Sequence, residues 1–333
     1  MTVAMRLGFL KFGVLLLAFI PDSSSDPLRT RLGSTPNMRA IRVPLDPSDP
    51  ARTKLGPLTY LGGVRLVSRD LAFGGFSAMR VLGDRFTLLS DRGNIVQFRM
   101  GSDWQPRDVR FGDLPSGPGT GAFRNDRDSE SLTSDPASGK FWVGFEARNA
   151  IWRYDAGLLK GEAASRPPIM ADWSDNGGAE SLVRLRDGRF VVISETTRPD
   201  GGHRHRERVV LIFAHDPVDP ASPVAELSYV PPAGYDPSDA TELPDGRLLV
   251  VNRRITFREL FTAKLTLVDI RGAKAGSVLR GTEIATFAPP VQHDNFEALA
   301  VTREGGATIL WIASDDNNEW WQQSLLLKFR LDL

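Results

Sequence analysis

The sequence predicts an all-β propeller of five or six four-stranded blades, with the ring closed by an N-terminal strand that pairs with the C-terminal blade. Three observations predict it. A step of an acidic, a small and an apolar residue, followed by a turn and a strongly apolar strand, occurs in five copies. The 31 glycines and 23 prolines are spread along most of the 333 residues, with no long apolar helical pattern, which favours many short strands joined by turns. The last copy ends after three strand-like segments, whereas a spare one, Leu58 to Val67, precedes the first copy. Pairing the two leaves no raw sheet edge.

Residues 1–21 read as a secretory signal or N-terminal anchor. Arg6 and Lys11 precede the apolar run Val14 to Ile20. A bilayer span needs about 20 apolar residues, and the looser run from Leu7 is broken by Gly8, Lys11 and Gly13. The expected location is the periplasm or the cell exterior, with no membrane contact beyond a possible N-terminal anchor. Residues 22–57, rich in Ser, Pro, Asp and Arg, read as a linker with an edge strand near Arg39 to Val43, and residues 58–333 as the propeller domain.

The first copy holds Phe76-Ser77-Ala78 and ends at Ser90-Asp91-Arg92, and the second holds Ser129-Glu130-Ser131 and ends at Phe145-Glu146. The third runs from Ala179-Glu180-Ser181 to Ser194-Glu195, the fourth from Ser238-Asp239-Ala240 to Asn252-Arg253, and the fifth from Phe296-Glu297-Ala298 to Ser314-Asp315. The small residue falls at 77, 131, 181, 240 and 298, giving steps of 54, 50, 59 and 58, a length that suits a four-stranded blade with loops. Gly-Asp, Ser-Gly and Asp-Gly turns join the two segments of the first four copies as antiparallel hairpins.

Two acidic layers follow from this alignment. The residue before the small one is Phe76, Glu130, Glu180, Asp239 or Glu297, at the start of the innermost strand. The next strand runs back, so its end returns to the same rim with Asp91, Glu146, Glu195, Asn252 or Asp315. Carboxylates this close repel one another unless cations or arginines sit among them, and hard cations such as Ca2+ take six to eight oxygen ligands. Asp128 and Asp294, in the loops Asn125 to Glu130 and His293 to Glu297, join the candidate metal ligands Glu130, Glu180, Asp239 and Glu297. Asp91, Glu146, Glu195 and Asp315 are candidates to complete coordination or act as general base, and Arg92 to hold an anionic group. The alternative for each acid is a bond to the backbone of the next blade, knitting the ring together.

Bulk properties narrow the partners. With 41 Lys plus Arg against 41 Asp plus Glu, no net field draws the chain to nucleic acid, so the expected partner is a small anionic or ester substrate. The absence of cysteine excludes disulfides, thiolate metal sites and a cysteine nucleophile. No Gly-x-Ser-x-Gly elbow, His-Glu-x-x-His pair or P-loop occurs. His203 and His205 lie in a charged segment, Asp200 to Arg208, that reads as a surface loop.

The blocks Ser90-Asp91-Arg92-Gly93, Asp128-Ser129-Glu130-Ser131-Leu132, Gly178-Ala179-Glu180-Ser181-Leu182 and Asp294-Asn295-Phe296-Glu297-Ala298-Leu299, with the closing strand Ser324 to Phe329, resemble the bacterial phytase-like propellers described as having esterase-like activity. The resemblance spans about Leu58 to the C-terminus. It implies a phosphoester or ester hydrolase with Ca2+ in the channel, and it carries over to the matched acids and Arg92. The dense Lys and Arg constellation that binds several phosphates in a true phytase is absent as a motif. A non-catalytic ligand- or protein-binding propeller stabilised by calcium, and a calcium-dependent lactonase, are the competing readings.

Overall fold

The computed structural model describes residues 26–199 and 206–333. The export signal and the pair His203 and His205 lie outside the described residues. Within them the chain is all β apart from two single-turn 3-10 segments, Arg124–Asp126 and Pro168–Met170.

Three strands come first, β1 (Arg39–Arg42), β2 (Lys54–Leu55) and β3 (Leu58–Val67). The first blade is β4 (Phe76–Leu82), β5 (Arg85–Ser90), β6 (Asn94–Met100) and β7 (Pro106–Asp113). The second is β8 (Ser129–Ser134), β9 (Phe141–Phe145), β10 (Ala150–Tyr154) and β11 (Gly161–Ser165). The third is β12 (Ala179–Arg184), β13 (Phe190–Ser194), β14 (Arg208–Phe213) and β15 (Val224–Val230). The fourth is β16 (Asp236–Glu242), β17 (Leu248–Thr256), β18 (Leu260–Val268) and β19 (Val278–Phe287), touching the third through a short parallel pairing of β15 and β19.

The fifth blade joins both ends of the described chain. β20 (Asn295–Glu304), β21 (Ala307–Asp315) and β22 (Leu325–Leu331) are followed across the sheet by β3, antiparallel to β22 from Leu325↔Arg65 to Leu331↔Leu58, and then by β1. The segment before β3 is packed rather than free. Leu45 and Asp46 are buried, and Arg29 places its guanidinium on Asp113 at 2.6 and 2.7 Å and on the Arg92 carbonyl at 2.6 Å.

Five apolar clusters lie between neighbouring blades, one to each junction among the described residues. Alternation along a strand divides its side chains between two junctions. On β13, Phe190 and Val192 pack toward the second blade, while Val191 and Ile193 pack toward the fourth. A middle strand buried on both faces therefore has to read as a continuous apolar run. The junction of the fifth blade with the first, where Trp311 and Leu326 meet Phe86 and Leu88, completes a circle of five blades among the described residues. The turns that aim β12 and β16 back along the ring hold Gly188 at φ +93 and Gly246 at φ +86, a conformation that favours glycine.

Candidate metal centre and active site

Every first hairpin carries a register shift at the same place. The shift falls between Phe76 and Ala78, Ser129 and Ser131, Ala179 and Ser181, Pro237 and Asp239, and Phe296 and Ala298. The skipped residues are Ser77, Glu130, Glu180, Ser238 and Glu297. A bulged residue leaves the ladder and its side chain is re-aimed. Three blades thus turn a glutamate into the channel, and two use a serine to tie the ring. Ser77 Oγ donates to the Ser129 carbonyl at 2.5 Å and Ser238 Oγ to the Phe296 carbonyl at 2.9 Å.

This register corrects the expected inner layer at two blades. In the first blade the equivalent position is Ser77 rather than Phe76. In the fourth it is Ser238, so Asp239 lies one residue beyond the bulge and does not line the mouth. Its carboxylate accepts the Leu299 N–H of the next blade at 2.6 Å and the Ala240 N–H at 2.7 Å. Asp239 is a ring-knitting residue, and the metal-ligand expectation for it is withdrawn.

The second layer follows from the same pairing. Ser90, Phe145, Ser194, Asn252 and Ser314 face the residue before each bulge, so the next residues, Asp91, Glu146, Glu195, Arg253 and Asp315, reach the rim together. The fourth blade therefore contributes a cation, not Asn252, which is buried and hydrogen-bonded to Tyr229 at 2.9 Å and Thr266 at 3.2 Å. Sequence reasoning missed Arg253 as an equivalent of the acids. No fixed spacing would have found it, because Asp91 stands 14 residues after Ser77 and the same step from Ser238 ends on Asn252.

The two layers line one cavity of about 850 Å³. Asp26, Asp91, Asp128, Glu130, Glu146, Glu180, Glu195, Glu297 and Asp315 face two arginines, Arg124 and Arg253. Arg253 grips Glu195 at 2.7 Å, Glu297 at 2.5 Å and Asn295 at 2.9 Å. Arg124, delivered by the 3-10 turn, holds Asp91 Oδ2 at 2.7 Å, leaving the buried Asp91 Oδ1 without a hydrogen-bond partner. Arg124, Asn176 and Asp26 come from segments with no repeat signal, which is why the sequence did not disclose them.

Burial raises seven of these carboxyls above their ordinary range. Burial, with Glu146 next in effect, pushes Asp128 up to about 8. Burial, then Glu180 and Asp128, raises Glu130 well above the ordinary range; burial, then Glu195 and Glu146, does the same to Glu180. Burial and then Glu297 raise Asp315, while burial leads for Glu146. Asp91 and Glu297 are also raised by burial, although Arg124 and Arg253 respectively act against it.

The oxygen donors fit a hard cation. Asp128, Glu130 and Glu146 form one group, and Glu146, Glu180 and Glu195 a second, with ligand atoms inside each group within 4.8 Å of one another. Glu146 belongs to both. Its Oε1 accepts the backbone N–H groups of Gly177 and Gly178, which fixes the carboxylate between them. All-oxygen sites of this kind suit Ca2+, Mg2+ or Mn2+ over softer metals.

Two further expectations are not met by the geometry. Asp294 does not line the cavity: it accepts from the Asn295 N–H, Gln322 Nε2 and the Gln323 N–H at 2.9 to 3.0 Å, and so anchors a loop. Arg92 also lies outside the cavity lining, with its Nη1 on Thr30 Oγ1 at 3.2 Å and its Nε 3.8 Å from Asp91. Arg124 and Arg253 occupy the cationic positions in the cavity instead.

Comparison with known proteins gives one family match. The family described as phytase-like, esterase-like activity of phytase, matches residues 71–318. No curated protein matches the sequence. Among solved structures, the chain is similar to the glutaminyl cyclase of Myxococcus xanthus at 13% identity and a TM-score of 0.44, over 78% of this chain and 91% of that one. It is similar to the hydrazine synthase of Kuenenia stuttgartiensis at 14% identity and 0.37, over 76% and 71%. It is also similar to YCF48 bound to D1 peptide, at 12% identity and 0.35, over 92% and 94%.

Proposed function

This chain belongs to the phytase-like family, and from that premise we propose that it is an exported, metal-dependent hydrolase of phosphate esters or related esters, acting at the carboxylate mouth. The observation that carries the reading is the pair of three-carboxylate groups sharing Glu146 inside an open cavity. Glu130, Glu146, Glu180 and Glu195, with Asp128, would hold calcium. In such a site the cation supplies charge neutralisation and activation of water. The chain's own residues do the rest. Asp91 and Asp315, which line the mouth outside the two three-carboxylate groups, are the candidates for general acid or base. Arg124 and Arg253 orient the anionic part of a substrate by charge-assisted hydrogen bonds. Among the described residues two arginines line the cavity, which favours a singly charged ester over a substrate bearing many phosphates. Export rests on the apolar N-terminal segment.

The second reading, a non-catalytic propeller stabilised by calcium, is favoured by the grip of Arg253 on Glu195 and Glu297, which already ties together two acids of the mouth. One experiment separates the readings. Chelator-treated protein is titrated with Ca2+ while melting temperature and turnover of p-nitrophenyl phosphate, p-nitrophenyl acetate and a simple lactone are followed. The hydrolase reading expects both to rise together. Stabilisation without turnover of any of the three substrates assigns a binding module, and turnover confined to the lactone assigns the lactonase alternative.

A further inference from the structure

The first blade carries a second charged feature that the mouth does not use. Its ladder sets two adjacent cross-strand rows on one face, Arg80, Thr87, Gln97 and Arg110 in one, and Leu82, Arg85, Arg99 and Arg107 in the other. Like charges directly opposed across a ladder are destabilising, yet Arg99 has Arg85 on one side and Arg107 on the other. Arg99 pairs with Asp84 at 2.7 Å and Asp108 at 3.5 Å, and Arg107 with Asp103 at 2.8 Å. Among the described residues Arg80, Arg85 and Arg110 form no salt bridge.

This face looks toward the second blade. At its mouth end Ala78, Leu89 and Ile95 pack against Val143 and Phe145. At the opposite rim the two blades part around a cleft of about 490 Å³, lined by Arg80, Arg85, Arg99 and Arg110 with Thr87 and Gln97 between them. Asp108 is the one acid of that lining. Arg80 is fixed in advance, with Nε donating to Ser134 Oγ at 2.9 Å and the guanidinium 4.9 Å from the centre of the Phe141 ring.

We infer that this cleft is a second binding site, for an anion carrying two or more phosphoryl groups. Guanidinium forks match phosphate oxygens bidentately. Neighbouring positions stand roughly 5 Å apart across the strands and roughly 7 Å apart along them, so one tetrahedral anion cannot satisfy all four arginines. Thr87 and Gln97 add neutral donors between the charges. A ligand of this kind relieves the opposed arginines of the ladder and is independent of hydrolysis at the mouth. Such phosphates could come from a soluble polyphosphate or from the headgroups of an anionic lipid surface.

The test uses the full chain in a buffer without divalent cations, where the carboxylate mouth repels anions. Inorganic tripolyphosphate is titrated calorimetrically, and phosphatidylcholine vesicles containing phosphatidylglycerol are tested by co-sedimentation. The expected result is binding that weakens as NaCl is added, reduced about tenfold or more in an Arg85→Gln/Arg110→Gln variant with unchanged melting temperature. Glu180→Gln in the mouth leaves it unchanged. Binding of tripolyphosphate identifies a soluble source, and binding of the vesicles alone a lipid source. The inference fails if neither probe binds at low salt, if the double variant binds as well as the natural chain, or if Glu180→Gln abolishes binding.

Discussion

Glu146 and Asp239 are both buried acids at the inner end of a blade, and their partners give them opposite roles. Glu146 is shared by the two carboxylate groups, so Glu146→Gln removes a ligand from each. We expect cation affinity to fall by about 10- to 100-fold or more, the size seen when even an outer-shell partner is lost, with ester turnover falling in parallel; calorimetric titration with Ca2+ and steady-state kinetics measure the two. Asp239 satisfies the Leu299 and Ala240 amides in a place closed to water. Asp239→Ala strands those donors and should destabilise the chain by about 1–3 kcal/mol, read by urea denaturation, while Ca2+ affinity stays as it was. Equal loss of Ca2+ affinity in the two variants would contradict the assignment.

At the scale of elements, the bulge is the device that separates tying from binding. Ser77 and Ser238 occupy the bulge in two blades and bond to the carbonyl of the next inner strand. Ser77→Ala is expected to cost about 1 kcal/mol without changing cation binding, a difference that parallel thermal melts with and without Ca2+ resolve. The pairing of β3 with β22 works on a larger element. Removing residues 26–67 strips β1, β2 and β3 and lays bare the length of β22 from Leu325 to Leu331. An exposed apolar edge invites pairing with other chains, so the truncated protein should self-associate, which analytical ultracentrifugation detects. A monodisperse, cooperatively melting truncation would show that the first strands are dispensable.

For the whole molecule, charge at the mouth couples folding to pH and to cations. The mouth carboxyls have folded values above their unfolded ones, with Asp128 moved from 3.8 to about 8. Between those limits the folded chain holds more protons than the unfolded chain, so stability falls as pH rises. Chelator-treated protein should therefore melt at progressively lower temperature from about pH 5 to about pH 8. Cation binding requires the ionised form and releases protons, so Ca2+ should stabilise more at the higher pH. Scanning calorimetry across this range, with and without Ca2+, checks both signs.

The sequence by itself determined the all-β repeat, the hairpin turns and most of the acids at the mouth. A blade must bury its middle strands on both faces and turn back through glycine, and those demands are written locally in runs such as Phe190 to Ile193 followed by Glu195. Asp91, Asp128, Glu130, Glu146, Glu180, Glu195, Glu297 and Asp315 were legible for that reason, because each stands beside such a run or its preceding turn. Only the tertiary structure decided which residue of each inner strand leaves the ladder. A bulge moves the pairing by one position and leaves no mark in composition, so Ser238 and Arg253 took the places that spacing alone gave to Asp239 and Asn252. It also decided that Arg124 faces Asp91 and that four arginines of the first blade share one cleft. Those encounters join residues from separate strands and loops, and long-range proximity is set by packing and register rather than by any local pattern.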